Sequence, residues 1–406
     1  MNATATTSAV SRPGWRLPPR AAFVLQASLT VGFLAGASAP TPLYPLYQAQ
    51  WGFSSLAVTV IFGIYALTVL ATLLLLGRLS DHIGRRPVLL AATLAQALSM
   101  LMFARADGLH ALLAARVLQG LAAGAALAAI GAGLLDLDRE RGAIANAVTP
   151  PIGTGLGGLV SGLVVRLLPA PTHAIYLLFG ALFVVQGIAL LFMDETMAPR
   201  GGALASLKPQ LRLSSRTRAP LLRAAPAIIA SWSVAGFFAA LGPAMVRNVL
   251  GVESPLLAGL AVFVFASSGA VAVLLSGRRD PRRMLALGAA ALLAGVVVVF
   301  TALPRHSPPL LFAGSIVAGV GFGAGFQGAV RGVLATASAT ERAGVVAVVF
   351  IIAYLAMGLP AMGAGYLLTH GGGLAGTMRD FAALVAVLAG AALFGSLRGA
   401  AASARG

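Results

Sequence analysis

The stretch Gly77-Arg78-Leu79-Ser80-Asp81-His82-Ile83-Gly84-Arg85-Arg86-Pro87 decides the fold. It is a tight knot of charge between two long apolar runs, roughly Ser55 to Leu76 and Val88 to Ala104, and neither run carries a charged residue. Each run is about long enough to cross a bilayer core as a helix, which takes ~20 residues at ~1.5 Å each. An arginine-rich turn between two such runs reads as a short membrane loop on the cytoplasmic side. Gly77 and Gly84 let the loop lie close against the helix ends. Asp81 brings a carboxylate that can pair with an arginine or cap a helix.

Composition extends this reading to the whole chain. Hydrophobic residues make up 59% of the 406 and charged residues only 10%, too few to cover a soluble core of that size. The net charge of +17 invites a nucleic-acid partner. The arginines, however, fall in short loops between apolar runs, a pattern that suits anionic membrane lipid and not nucleic acid. Cysteine is absent, which excludes disulfides, thiolate metal sites and a cysteine nucleophile. The one lysine, Lys208, precedes Pro209, so a phosphate-binding G-x-x-x-x-G-K-[ST] loop is excluded. His82, His110, His173, His306 and His370 all fall in loops or at span ends, with no deep carboxylate partner. No catalytic or metal site is therefore expected, and an intramembrane enzyme is disfavoured.

Taken in order, residues 1–20 read as a cytoplasmic tail and residues 21–193 as a first six-helix bundle. Its first span, Ala21 to Ala39, is expected to end at Pro40, Pro42 and Pro45, with Tyr44 and Tyr47 as interfacial aromatics. A basic linker, 194–223, holds Arg200, Lys208, Arg212, Arg216, Arg218 and Arg223. A second bundle follows over 224–398, its first span beginning at Ala224 and its last at Phe381, and residues 399–406 form a tail. Most arginines sit in the tails and even-numbered connections, which places both termini in the cytoplasm. The halves also echo each other. Ser276-Gly277-Arg278-Arg279-Asp280-Pro281-Arg282-Arg283 is a shortened copy of the basic turn, and Glu140-Arg141 returns as Glu341-Arg342. The expected fold is all-α integral membrane, twelve transmembrane helices in two six-helix pseudo-repeat bundles.

The basic turn resembles the signature loop of the major facilitator superfamily, G-x-L-[AS]-D-[RK]-x-G-[RK]-[RK]. Gly77, Leu79, Ser80, Asp81, Gly84, Arg85 and Arg86 match, and His82 stands where that family usually has a permanent cation. The resemblance implies a gating role for Gly77, Asp81, Gly84, Arg85 and Arg86. Leu112, Arg116, Gln119 and Gly120 are similar to the family's helix 4 motif L-x-x-x-R-x-x-Q-G, in which the arginine serves substrate or proton handling. Arg116 is also the only charge well inside a span, and the plainer reading has it snorkelling to the interface.

Gly153, Gly157, Gly158 and Gly162 resemble a worn antiporter motif and equally suit close helix packing. The G-x-G-x-x-G matches at Gly153–Gly158 and Gly323–Gly328 lack a preceding strand, so they do not signal a dinucleotide site. The family's cavity-facing helices nominate Gln26, Tyr65, Gln119, Trp232, Gln327 and Tyr354 beside Arg116, each with helix packing as its other reading. Asp194-Glu195-Thr196 resembles a structural P-E-T element.

The function expected is secondary transport of a small organic molecule by alternating access, as export of a drug-like compound or metabolite. The alternatives are uptake of an anionic metabolite and a non-transporting sensor or scaffold. The expected protein is a monomer in the inner membrane, without a cofactor. Proton coupling stays open, because Asp81, Asp136, Asp138, Asp194 and Asp280 all lie at or beyond span ends.

Overall fold

The computed structural model describes residues 15–403 apart from 210, 212, 278, 339, 340 and 372. Residues 1–14 and 404–406 of the two tails, and Arg212 and Arg278, thus lie outside the described residues. Among the described residues, twelve helices are long and apolar enough to cross a membrane. They are α1 (Pro19–Ser38), α2 (Ser55–Leu76), α3 (Arg85–Ala104), α4 (Leu109–Leu137), α5 (Arg139–Leu167) and α6 (Pro171–Leu191) in the first half. The second half holds α7 (Ser215–Leu250), α8 (Pro255–Ser276), α9 (Pro281–Ala302), α10 (Pro308–Leu334), α11 (Arg342–Thr369) and α12 (Gly373–Ser403).

Three boundaries differ from expectation, each for a physical reason. The prolines after α1 do not end its span. The chain resumes as a 3-10 turn, Thr41–Leu43, and a helix, Tyr44–Trp51, each with proline in its first two positions, where a missing N–H costs nothing. Tyr44 and Tyr47 are consequently buried at 2% exposure and are not interfacial. The linker is shorter than expected, because α7 starts at Ser215 and runs through Pro220, Pro226 and Pro243. It thereby takes in Arg216, Arg218 and Arg223. The last helix begins at Gly373, not near Phe381.

An apolar core around Leu29, Phe33, Met100 and Phe183 fills the first half, and two fill the second, one around Phe237, Phe265, Leu292 and Val385 and one around Ile228, Ala329 and Val349. The halves meet chiefly where α5 packs on α8 and α2 on α11. Glycine makes this approach possible. A Cβ on Gly158 would come 3.2 Å from Val262, and one on Gly162 would come 2.6 Å from the carbonyl of Pro255. Along α2, Gly63 lies against Met362, and a Cβ on Gly358 would sit 3.6 Å from that of Ala66. Hydrogen bonds join the halves from Leu56 N–H to Thr369 Oγ1 at 3.2 Å and from Thr41 Oγ1 to the Ala239 carbonyl at 3.0 Å. These contacts run from mid-depth to the end opposite the basic turn, the far end.

Candidate functional site

The basic turn is tied into its own half by side chains that sequence reading did not connect to it. Arg85 is 3% exposed. Its guanidinium ion-pairs with Asp81 and Asp136 and donates to Ser80 Oγ at 2.7 Å. Arg86 donates to the carbonyls of Leu190 and Leu191 at the end of α6. The first turn of α3 has no capping side chain of its own. Glu195, from beyond α6, supplies one: its carboxylate accepts from the N–H of Arg85 at 2.7 Å and of Arg86 at 3.0 Å. Gly84 has φ 101°, in the left-handed region, and a Cβ there would come 2.5 Å from Glu195 Oε2. Only glycine serves both demands. His82 Nδ1 lies 3.0 Å from the carbonyl of Gly201, so the linker is bound to the same turn.

Arg116 and Gln119 answer a different need. Pro40 has no N–H, so the Gly36 carbonyl loses the donor that a continuous helix would place four residues on. Gln119 Nε2 donates to that carbonyl at 3.0 Å. Arg116 Nη1 donates to the next carbonyl, Ala37, at 2.8 Å and to Gln119 Oε1 at 2.6 Å. Ser161 Oγ of α5 donates to Ala39 at 2.6 Å. The Arg116 Nη2 atom donates to Tyr44 Oη at 2.7 Å, and its Cζ lies 5.3 Å from the Tyr65 ring centre and 5.6 Å from that of Phe103. Arg116 is wholly enclosed and meets no carboxylate. Two side chains of α4 thus cap the broken end of α1, and snorkelling is ruled out by their burial.

A third feature stands at mid-depth where the halves face each other. Trp232 of α7 has ring neighbours from α10 (Phe322 at 6.3 Å, Phe326 at 5.3 Å) and α11 (Tyr354 at 5.2 Å). Trp232, Phe350 and Met357 pack against the first half's core, which takes in Tyr65 and Tyr354. The buried Nε1 of Trp232 has no hydrogen-bond partner. Gln327 of α10 is half-buried beyond Phe326, toward the basic-turn end.

The sequence-nominated residues therefore fall into groups that meet only at Tyr65, whose ring lies 5.3 Å from Arg116 Cζ. Tyr65, Trp232 and Tyr354 gather at the seam. Arg116 and Gln119 sit inside the first half. Gln26 lies toward the basic-turn end of that half, its amide 3.6 Å from Met193 Sδ. Gly153 and Gly157 approach α1 at Val31 and Ala35, whereas Gly158 and Gly162 face α8. Asp136 and Glu195 were missed as partners of the basic turn, although the Asp194-Glu195-Thr196 resemblance pointed at the second. Among the described residues, no cluster of three or more His, Asp or Glu could hold a metal.

Two six-helix bundles facing each other across a seam, in twelve spans, are the architecture of a membrane transporter and not of an enzyme. The family model described as Major Facilitator Superfamily matches residues 27–361, and the chain belongs to that family.

A curated relative, the multidrug resistance protein MdtL of Shewanella sp. (strain ANA-3), is 30% identical over 161 residues. That alignment spans 37% of this chain and 39% of MdtL. Among solved structures, a bacterial homologue of the human lysosomal transporter Spinster, inward-facing and unoccupied, superposes with TM-score 0.74 at 13% identity, over 93% of this chain and 97% of its own. The human organic anion transporter MFSD10 (TETRAN) gives 0.64 at 18%, over 93% and 100%. The nucleoside transporter NupG gives 0.66 at 14%, over 93% and 98%. At these identities the likeness is one of fold.

Proposed function

We propose that this chain exports an apolar or weakly polar aromatic compound from the cytoplasm by alternating access. The observation that carries the reading is the mid-depth seam: Trp232, Phe322, Phe326, Tyr354 and Tyr65 offer ring faces, and the buried Trp232 N–H is a donor awaiting an acceptor. The partial match to a multidrug resistance protein points the same way. Uptake of an anion is less favoured, because Arg116 is enclosed and both its Nη atoms are taken by Ala37, Gln119 and Tyr44, which leaves only its buried Nε without a partner.

The arginine bias makes the basic-turn end cytoplasmic. The glycine-lined contacts between the halves lie toward the far end, which supports reading this arrangement as the one that receives substrate from the cytoplasm. Opening the far end requires α5 to leave α8 and α2 to leave α11. The site residues are Trp232 and Tyr354, with Tyr65 contributed by the opposite half.

Orientation is tested with single cysteines, for which the native chain gives no background. Leu204→Cys, at an 85% exposed position, should resist an impermeant thiol reagent in intact cells, and Val252→Cys, at 62%, should react. The reverse pattern overturns the orientation. Substrate is sought with a library of aromatic compounds in inverted vesicles, with and without a pH gradient. A transported compound should quench Trp232 fluorescence in a Trp15→Phe, Trp51→Phe background. Uptake into the vesicles that survives Trp232→Ala, without quenching in the parent, removes the assignment of the site.

A further inference from the structure

A crevice of about 430 Å³ opens sideways between α9 and α12 at the far end. Its construction is legible residue by residue. Leu293, Val297 and Phe300 give α9 a bulky apolar wall, and Ala382, Ala383 and Ala386 give α12 a shallow one at helical spacing. The pairing of large with small side chains leaves a furrow where two fully packed helices would close. Val297 is 53% exposed, so the furrow faces the surrounding membrane and not the seam between the halves.

Two arginines are among the residues that line this furrow, Arg305 just past α9 and Arg379 near the start of α12. Their presence on one furrow stands out because the far end is poor in arginine. The others in its connections are Arg105, Arg166 and Arg247, and Arg247 is paired with Glu253 at 2.9 Å. Arg305 Nη1 donates to the Thr301 carbonyl at 3.2 Å, which keeps that side chain near the end of α9. The Arg379 side chain is 81% exposed, and Asp380 approaches its Nε only to 3.9 Å. Donors on both arginines can therefore be directed at an anion.

We propose that this crevice is a binding site for one anionic phospholipid, with an acyl chain in the furrow and the phosphate between Arg305 and Arg379. The two chemistries required, an apolar chain and an anion at one end of it, belong to one molecule only in a lipid. A free phosphate would leave the apolar walls uncovered. A peptide would bring backbone N–H and C=O groups into a furrow with almost nothing to satisfy them. A lipid held here would brace α9 against α12 on the outer side of the second half.

The test uses the full chain in lipid nanodiscs, with phosphatidylglycerol as the probe and phosphatidylcholine as the neutral reference. Bound lipid is counted by native mass spectrometry after release. The wild type should retain one phosphatidylglycerol in preference to phosphatidylcholine. The Arg305→Gln, Arg379→Gln double variant should lower that occupancy at least fivefold, and Arg166→Gln, at the same end, should not. Ala383→Phe fills the furrow and keeps both charges, and it should lower occupancy by a similar factor. Unchanged melting of all variants in phosphatidylcholine shows that they are folded. Equal retention of the two lipids by the wild type, or full retention by the double variant, overturns the proposal. Retention by Ala383→Phe that inorganic phosphate competes away makes this a site for a free anion, and overturns it equally.

Discussion

The two halves build their basic turns differently. Before α9, Asp280 does the capping locally: its carboxylate accepts from the N–H of Arg282 at 2.9 Å and of Arg283 at 3.1 Å. Before α3 the same two orphan donors are satisfied by Glu195, 110 residues away, while Arg85 reaches Asp136 on α4. A deep contrast runs parallel to this one. The first half carries Arg116 on α4, and the position 201 residues later is Val317 on α10. In the second half the capping carboxylate belongs to the turn itself. A turn capped from the segment after α6 and anchored to α4 moves only if those parts move with it. The comparison suggests that the first half travels as one rigid unit, with the turn as its clasp.

The largest effect is expected at Arg116. Arg116→Leu strips donors from the Ala37 carbonyl, Gln119 and Tyr44 at a fully buried position. It should cost about 3 kcal/mol, read as a sharp loss of detergent-stable protein and a lower melting temperature. Val317→Leu, its counterpart by position, should melt close to the wild type. Equal tolerance of both would show that the polar cap of α1 is dispensable.

Arg85→Gln comes next, at about 2 kcal/mol, because it leaves Asp81 and Asp136 facing each other without the cation. The expected companion is slow transport in the protein that survives purification, since the clasp no longer holds one arrangement of helices. A variant as stable and as fast as the parent would reduce the turn to a topology signal.

Removing the caps separates the halves most cleanly. Glu195→Ala and Asp280→Ala should each cost about 1 kcal/mol, typical of a lost N-cap. Hydrogen exchange tells them apart. The first should loosen α3, the end of α6 and the linker together, whereas the second should loosen only the start of α9. Spread in both, or in neither, breaks the comparison.

The smallest effect concerns Glu341, before α11. The hydroxyls of Ser338 and then Ser214 hold its carboxyl below the usual carboxylate range. A carboxyl lowered on folding contributes stability above its unfolded pKa and loses it as pH falls through the folded value. The melting difference between wild type and Glu341→Gln should therefore be present at neutral pH and vanish in acid below that range. A pH-independent difference would contradict the assignment.

These contrasts also show what the sequence could disclose. The apolar runs, the spacing Gly77 to Arg86 and the split into halves were legible because each is local, carried by periodicity and adjacent charge. Asp136 and Glu195 were not, since pairing across 51 and 110 residues depends on which helix ends meet. Tyr44 and Tyr47 looked interfacial because three prolines nearby suggested the end of a span. The chain instead restarts its helix at those prolines, and the tyrosines turn inward to Arg116 and Tyr176. Arg116 was legible as unusual. What it serves, carbonyls released by Pro40, required the structure.

Alternating access as proposed requires the halves to move against each other about a glycine-lined seam. Ala66→Cys with Gly358→Cys would lock it, since a Cβ on residue 358 lies 3.6 Å from that of Ala66, within disulfide range. After oxidation, spin labels on Glu140→Cys and Ala343→Cys, exposed at the basic-turn ends of α5 and α11, report the separation of the halves there. Without the lock, the account predicts a long and a short distance, with the long one alone once the disulfide forms and both restored on reduction. A single distance that ignores the disulfide would contradict it.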